Sequence, residues 1–281
     1  MYSRLGGSLR VEQVTVPVRG LSPDLAGLRL VQLSDFHFDG LRLSEQLLGE
    51  AIQASNAAEP DLVLLTGDYI TDEPEPIFGL IEPLKTLQSR AGILAVLGNH
   101  DLVYDHSRTT VTQALEKAGV QVLWNQVAYP LGGGLPVAGL ADFWSPAFRE
   151  ALPVVQHLPP EVPRLVLSHN PDSAAVLRRW RVDLQVSGHT HGGQVVVPGL
   201  GPLPARTKDW LKQIPRGIRR RIPSPLFNQN CDHVTHHWEW ASGLHAVGDN
   251  WLYVNRGLGT YFPGRLFCPP EVTVITLRPA G

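Results

Sequence analysis

Five short apolar runs in this 281-residue chain each break off into residues able to hold a metal ion. LVQLSDFH leads to Asp35 and His37, LVLLTGD to Asp68, and LAVLGNHD to Asn99, His100 and Asp101. RLVLSHN leads to His169, and LQVSGHTH to His189 and His191. Runs this short, rich in Val and Leu and bounded by Gly or Ser, read as buried strands. Helical periodicity fills the gaps at Ser44 to Ser55, Ile77 to Arg90 and Thr109 to Ala118. Such alternation predicts βαβ units, and in an α/β sheet ligands bind outside the carboxyl ends of the strands. Five endings of one chemical type can therefore converge on one place.

After Val120 the pattern turns to strands with little helix between them: VQVLWNQVAYPL, LPVAGLAD and PRLVLSHN. A helix over Pro171 to Trp180, with proline at its start, then leads into the GHTH run. WLYVNRGL and EVTVITL read as strands that close a second sheet. Two packed sheets with outer helices fit this order in one domain over 1–281. Between Pro198 and Asp249 the periodicity lapses, and 198–249 reads as an ordered insertion or cap facing the substrate.

Charge and cysteine content narrow the function. Twenty-four basic residues against 26 acidic ones leave a net charge of -2, with no global field for nucleic acid. The two cysteines, Cys231 and Cys268, lack CxxC spacing, which argues against thiolate zinc and for a reducing compartment. The amino terminus shows no signal-peptide pattern, and no run approaches the ~18 apolar residues of a membrane span. The chain therefore reads as cytoplasmic, with peripheral membrane contact through Lys208 to Arg221 left open and no statement on oligomeric state.

Two Asp, one Asn and several His form a mixed oxygen and nitrogen set. It suits Mn, Fe, Co, Ni or Zn, and neither structural zinc nor an all-oxygen calcium cage. Seven candidates exceed the needs of one ion; two ions about 3.5–4 Å apart, sharing a carboxylate, would use them all. In an extended DFH, Asp35 and His37 share a face while Phe36 packs the other way. Glycines before Asp68, Asn99 and His189 permit tight turns and close backbone approach.

In this order, DFH, GDYI, GNHD, SHN and GHTH resemble the signature blocks of the calcineurin-like metallophosphoesterases. GHTHGGQV, VNRGLGT and RLFCPPEVTVITL resemble a bacterial phosphodiesterase-like subfamily. The resemblance implies a four-layer α/β/β/α sandwich of two mixed sheets flanked by helices. It implies that Asp35, His37 and His191 hold one metal, that Asn99, His169 and His189 hold the other, and that Asp68 bridges them beneath a metal-bound hydroxide. His100 would contact the phosphate and protonate the leaving oxygen, with Asp101 orienting it. Arg256, in VNRGLGT, is a candidate phosphate contact. The expected substrate is a small phosphodiester or pyrophosphate, lipid-linked forms included. A phosphomonoesterase or nucleotidase, a UDP-2,3-diacylglucosamine-type pyrophosphatase and a catalytically silent scaffold are the alternatives.

Other polar clusters carry less. His233, His236 and His237 beside Cys231 read as a histidine-rich loop rather than a zinc site. Lys208, Lys212, Arg216 and Arg219 to Arg221 read as a solvated face or an anion-binding patch. Trp210, Trp238 and Trp240 serve either packing or an apolar substrate wall. Asp72, Glu73 and Glu75 read as an acidic helix entry.

Overall fold

The computed structural model describes residues 5–205 and 234–280. Lys208, Trp210, Lys212, Arg216, Arg219, Arg220, Arg221, Cys231 and His233 lie outside the described residues. In strand order, the first sheet is β1 (Arg10–Val18), β14 (Glu271–Pro279), β2 (Arg29–Leu33), β3 (Leu62–Leu65), β4 (Ile93–Ala95) and β5 (Val120–Val122). The second is β12 (Gly243–Val247), β13 (Asn250–Val254), β9 (Leu184–Ser187), β8 (Leu165–Leu167), β7 (Val137–Gly139) and β6 (Gln126–Ala128). β2 to β5 run parallel, as do β7, β8, β9 and β13; antiparallel pairings of β14 with β2, β6 with β7 and β12 with β13 make both sheets mixed. A small β10 (Val196–Val197) and β11 (Gly201–Pro202) hairpin follows the GHTH run.

Alternation along the strands sets the layers. Leu30, Leu62, Leu64 and Leu94 face Leu165, Leu167, Leu184 and Val186 in a core between the sheets. Val31, Leu33, Val63 and Leu65 face outward against α1 (Glu45–Ala57), α2 (Ile77–Leu84) and α3 (Ser107–Lys117). On the far side, Ala138, Leu140 and Val166 pack against α4 (Phe148–Gln156) and α5 (Ser173–Leu177). Helices, two sheets and helices thus give the four layers. Each fully buried Leu or Val contributes about 1.5–3 kcal/mol against exposure, so the strand ends that carry the polar residues rest on a stiff base.

Several elements differ from expectation for local reasons. α1 begins where Ser44 Oγ accepts from the Leu47 N–H at 3.2 Å. α2 stops at Leu84, short of Arg90: Pro83 lies in its last turn, Lys85 N–H bonds Ile81 O, and Thr86 N–H closes a tighter turn on the Pro83 carbonyl. α4 is missing from the sequence reading, its short amphipathic pattern interrupted by Pro153. The EVTVITL strand, expected in the second sheet, lies in the first as β14, between β1 and β2. Gly243–Val247, inside the 198–249 stretch, is the edge strand β12, paired to β13 through a tight Gly248–Asp249 turn. The stretch is therefore not all insertion. Among the described residues, no helix is long and apolar enough to cross a membrane.

Candidate metal centre

Six strand ends, those of β2, β3, β4, β8, β9 and β13, deliver loops to one edge of the sandwich. Five of the expected ligands sit there in the left-handed region: Asp35 (φ 52), His37 (φ 44), Asp68 (φ 56), His189 (φ 72) and His191 (φ 50). Such backbone costs of order 1–3 kcal/mol per non-glycine residue, and it persists only where the surroundings hold it. Here they do. Asp35 N–H donates to Gly67 O at 2.9 Å, His37 N–H to Asp68 O at 3.0 Å, and His189 N–H to the Asp35 carboxylate at 3.0 Å. Asp35 and His37 do share a face, but through two left-handed turns rather than an extended segment; Phe36 stacks on Tyr69 in the core, 5.7 Å between ring centres.

The glycines play two parts. Gly67 (φ 96) needs its conformation, whereas Gly98 and Gly188 lack a positive φ and are small because carboxylates crowd them. A Cβ on Gly98 would overlap Asp68 Oδ1, and one on Gly188 would overlap Ser34 Oγ and Asp35 Oδ2.

Ring orientation follows from what each imidazole's other nitrogen touches. His169 Nδ1 lies 2.7 Å from Thr66 O and His191 Nδ1 3.2 Å from Gly259 O. His189 Nε2 meets Val234 O, and His100 Nδ1 meets Thr71 O. A carbonyl only accepts, so His169, His189 and His100 keep their proton on that side and turn a lone pair to the centre, and at His191 the Gly259 carbonyl is nearer to Nδ1 than the Arg265 guanidinium at 3.4 Å and favours the same tautomer. His169 Nε2 and His189 Nδ1 consequently face each other at 3.1 Å, with Asp68 Oδ2 3.1 Å from His169 Nε2. Two lone pairs and a carboxylate oxygen at that spacing require a cation between them. His37 Nε2 and His191 Nε2 lie 3.0 Å apart, with Asp35 Oδ1 3.5 Å from His191 Nε2 and Asp68 Oδ2 3.6 Å from His37 Nε2.

Three groups follow whose ligand atoms all lie within 4.8 Å of one another: Asp35, His37 and His191; Asp68, His169 and His189; and His37, Asp68 and His100. Asn99 Oδ1 is buried with no hydrogen-bond partner among the described residues, as a ligand oxygen lacking its ion would be. The donor set of imidazole nitrogens, carboxylates and an amide oxygen fits divalent first-row metals.

Burial holds His37 and His191 well below the usual imidazole range, with Arg265 adding to the effect at His191, and pushes His189 down to about 4. All three are neutral at physiological pH, the form that binds metal. Burial pushes Asp35 up to about 6. At Asp68 burial works upward, but the charges of His169 and His100 outweigh it and hold the carboxyl well below its usual value. At His169 burial works downward and Asp68 reverses it, lifting the imidazole to about 10. In the metal-free protein, His169 therefore carries the cation that the lone pairs require. A metal must displace that proton. Titrating metal-free protein with Mn²⁺ at pH 7 to 8 in weak buffer should release about one proton per chain from this site, and the release should fall in Asp68→Asn, which removes the charge that lifts His169. An equal release from the variant would refute the assignment.

Two side chains have other partners than expected. Asp101 does not orient His100: its carboxylate accepts from Asp68, Tyr69 and Gly98 N–H, each at 2.9 Å, and staples the β3 and β4 loops together. Asp101→Asn would turn an NH₂ toward these donors and should destabilise the chain by about 2 kcal/mol. Its thermal melt should fall while the pH–rate profile keeps its shape; an altered profile at unchanged stability would restore the orienting role. Arg256 is paired with two carboxylates, its Nη2 donating to Glu12 Oε1 at 2.7 Å and its Nε 2.7 Å from Glu271 Oε2, so its charge is balanced within the fold. His236 pairs with Asp172 at 3.3 Å and His237 stacks on Trp240, as a loop rather than a ligand cluster would. Trp238 is buried and Trp240 packs against Val247, Leu252 and Val254.

The supporting residues of the 257–265 loop escaped the sequence reading. Gly257 and Gly259 allow it to lie against Asp35 and His37. Half-buried Arg265 donates to the carbonyls of Arg256, Gly257 and Gly259 at 2.6–3.1 Å. Tyr261 places its hydroxyl 3.0 Å from His37 Nδ1. The paired glycines of RGLGT were the available signal.

Comparison with known proteins identifies the family. Residues 28–193 match the family described as calcineurin-like phosphoesterase. The chain is 31% identical over 262 residues to the Escherichia coli K12 protein named phosphodiesterase YaeI, covering 90% of this chain and 83% of that one. It is 30% identical to the Bacillus subtilis 168 metallophosphoesterase YkuE, covering 90% and 79%, and 28% identical to the UDP-2,3-diacylglucosamine pyrophosphatase LpxG of Chlamydia muridarum, covering 89% and 84%. The chain belongs to the calcineurin-like phosphoesterase family and is a metal-dependent phosphoester hydrolase.

Proposed function

We propose that this chain is a dinuclear-metal phosphodiesterase or pyrophosphatase. The observation that carries the reading is the convergence of His189 Nδ1 and Asp68 Oδ2 on His169 Nε2, each 3.1 Å from it, beside the His37, His191 and Asp35 group. Asp35, His37 and His191 would hold one ion, Asn99, His169 and His189 the other, and Asp68, which faces both groups, would be shared. Mn, Fe, Zn, Ni and Co all suit these donors. When bound, the ions would supply activated water and Lewis acidity toward the phosphoryl oxygens.

The protein's own groups do the rest. His100, with Nδ1 committed to Thr71 O and its N–H to Asp68 Oδ1 at 2.9 Å, has Nε2 left to take up a proton and pass it to the leaving oxygen. Thr66, Gly259 and Val234 carbonyls keep three imidazoles in their ligating tautomer. The 198–249 stretch, up to β12, is read as the substrate-facing element. Its residues 234–241 are tied to the ligand loops: Asp172 accepts from Thr235, His236 and His237, and Thr190 donates to Ala241 O.

Preference for a diester or pyrophosphate draws on the relatives' names. A lipid-linked substrate, met by a cytoplasmic enzyme in peripheral contact with a membrane, draws on the exposed Phe262, Leu266 and Phe267 directly after Tyr261. The test is hydrolysis of bis-p-nitrophenyl phosphate against p-nitrophenyl phosphate by stripped protein with Mn, Ni, Fe or Zn restored. Faster diester turnover supports the reading, and monoester preference replaces it with a phosphatase. No turnover with any metal, in a protein without stoichiometric metal, would leave a scaffold.

A further inference from the structure

His37 differs from the other imidazoles of the centre in its outer partner. Carbonyls, which only accept, hold His169, His189, His191 and His100. His37 Nδ1 instead meets the Tyr261 hydroxyl at 3.0 Å, a group that can donate or accept. For His37 Nε2 to ligate, it must present a lone pair, so the ring proton sits on Nδ1 and donates to the tyrosine oxygen. The hydroxyl's own hydrogen then needs another acceptor, and none stands within hydrogen-bond distance of it among the described residues. The ring is half-buried, edge-on to His37 at 4.9 Å and His191 at 5.4 Å, and 6.3 Å from His100. Its free hydrogen is therefore available to the reacting group between those histidines.

Resting on the phosphoester reading above, we propose that Tyr261 is a catalytic residue. Its hydroxyl accepts from His37 and donates to a non-bridging oxygen of the phosphoryl group. The rest of the chain prepares it for that part. Tyr261 N–H donates to Gln194 Oε1 at 2.7 Å, Thr260 N–H to Arg42 O at 3.1 Å, Gly259 N–H to Asp35 O at 2.7 Å and Leu258 N–H to Ser34 O at 3.0 Å. The Arg42 guanidinium lies 4.5 Å over the ring, held by Asp39. A fixed donor aimed where charge develops acts mainly on the transition state.

Tyr261→Phe removes the hydroxyl and keeps the ring, its edge contacts and the Arg42 stack. Metal affinity, read by calorimetric titration of the metal-free protein, should weaken about tenfold as His37 loses its acceptor. At saturating metal, with content verified by elemental analysis, kcat on bis-p-nitrophenyl phosphate should still fall roughly 10²-fold with KM little changed. The fall should be smaller on the phosphorothioate analogue, whose sulfur accepts hydrogen bonds poorly. A kcat within twofold of wild type at full metal occupancy would overturn the proposal, as would equal losses on the oxygen and sulfur substrates. Failure of the phosphoester reading itself would look different, since wild-type protein would then be inert with every metal.

Discussion

Asp68→Asn should lower turnover of bis-p-nitrophenyl phosphate by roughly 10³-fold or more, because losing about 4 kcal/mol of charge stabilisation at a shared ligand corresponds to that factor. The substitution changes little else. Asn tolerates the left-handed backbone that Asp68 adopts at φ 56, and its amide oxygen can still accept the His100 N–H that now bonds Oδ1 at 2.9 Å. What disappears is the negative charge facing His37 Nε2 at 3.6 Å and His169 Nε2 at 3.1 Å. That charge is also the main influence lifting His169. The variant should therefore melt near wild type, bind less metal and release fewer protons on metal addition. Elemental analysis beside the rate assay checks this. Wild-type turnover at reduced metal content would show that Asp68 is not shared by two ions.

What the sequence revealed of this centre is what chemistry forbids it to hide. A side-chain ligand for such an ion comes from few residue types whatever its surroundings, and here Asp, His and Asn supply it, so DFH, GDYI, GNHD, SHN and GHTH stand out even without a structure. The groups that aim those ligands have no such obligation. Thr66, Gly259, Thr71 and Val234 act through backbone carbonyls that any residue could supply, and are invisible by composition. Asp101 was visible, but its neighbour His100 in the chain is not its partner in space: a short helical turn, His100–Leu102, points the carboxylate back at the amides of Asp68, Tyr69 and Gly98. The partners of Arg256 were hidden for the same reason, since Glu12 and Glu271 reach it from β1 and β14, strands that VNRGLGT does not contain. Apolar periodicity placed every α-helix but α4 and most strands, yet periodicity does not say which sheet a strand joins. EVTVITL could close either one. Its place beside β2 is set by the 255–270 loop crossing from the second sheet to the first, and that same crossing brings Tyr261 to His37.

Gly98→Ala should cost this enzyme nearly as much as removing a ligand, though no functional group is lost. A Cβ at residue 98 would overlap Asp68 Oδ1 and stand 2.7 Å from Asp68 N and 2.8 Å from its Cγ. Neither neighbour can yield cheaply. Asp68 N–H is bound to Asp101 Oδ2 at 2.9 Å, and the same carboxylate oxygen holds Gly98 N–H at 2.9 Å, so the two loops cannot separate without breaking their staple. Overpacking at a well-packed position costs typically 1–3 kcal/mol; a shift of about 1 Å in Asp68 would add a rate loss on the order of 10²-fold. Because Gly98 lacks a positive φ, the alanine itself is conformationally tolerated, and the penalty isolates the crowding of the carboxylate. Gly49→Ala supplies the control. Gly49 lies inside α1, and a methyl group there would meet nothing within 4 Å, so alanine should raise stability by about 0.5–1 kcal/mol and leave turnover unchanged. Chemical denaturation and kcat, measured on both variants, separate the two outcomes. A Gly98→Ala protein with full metal content and wild-type kcat would mean that the β3 and β4 loops move freely, and the tight packing argued for the centre would be wrong.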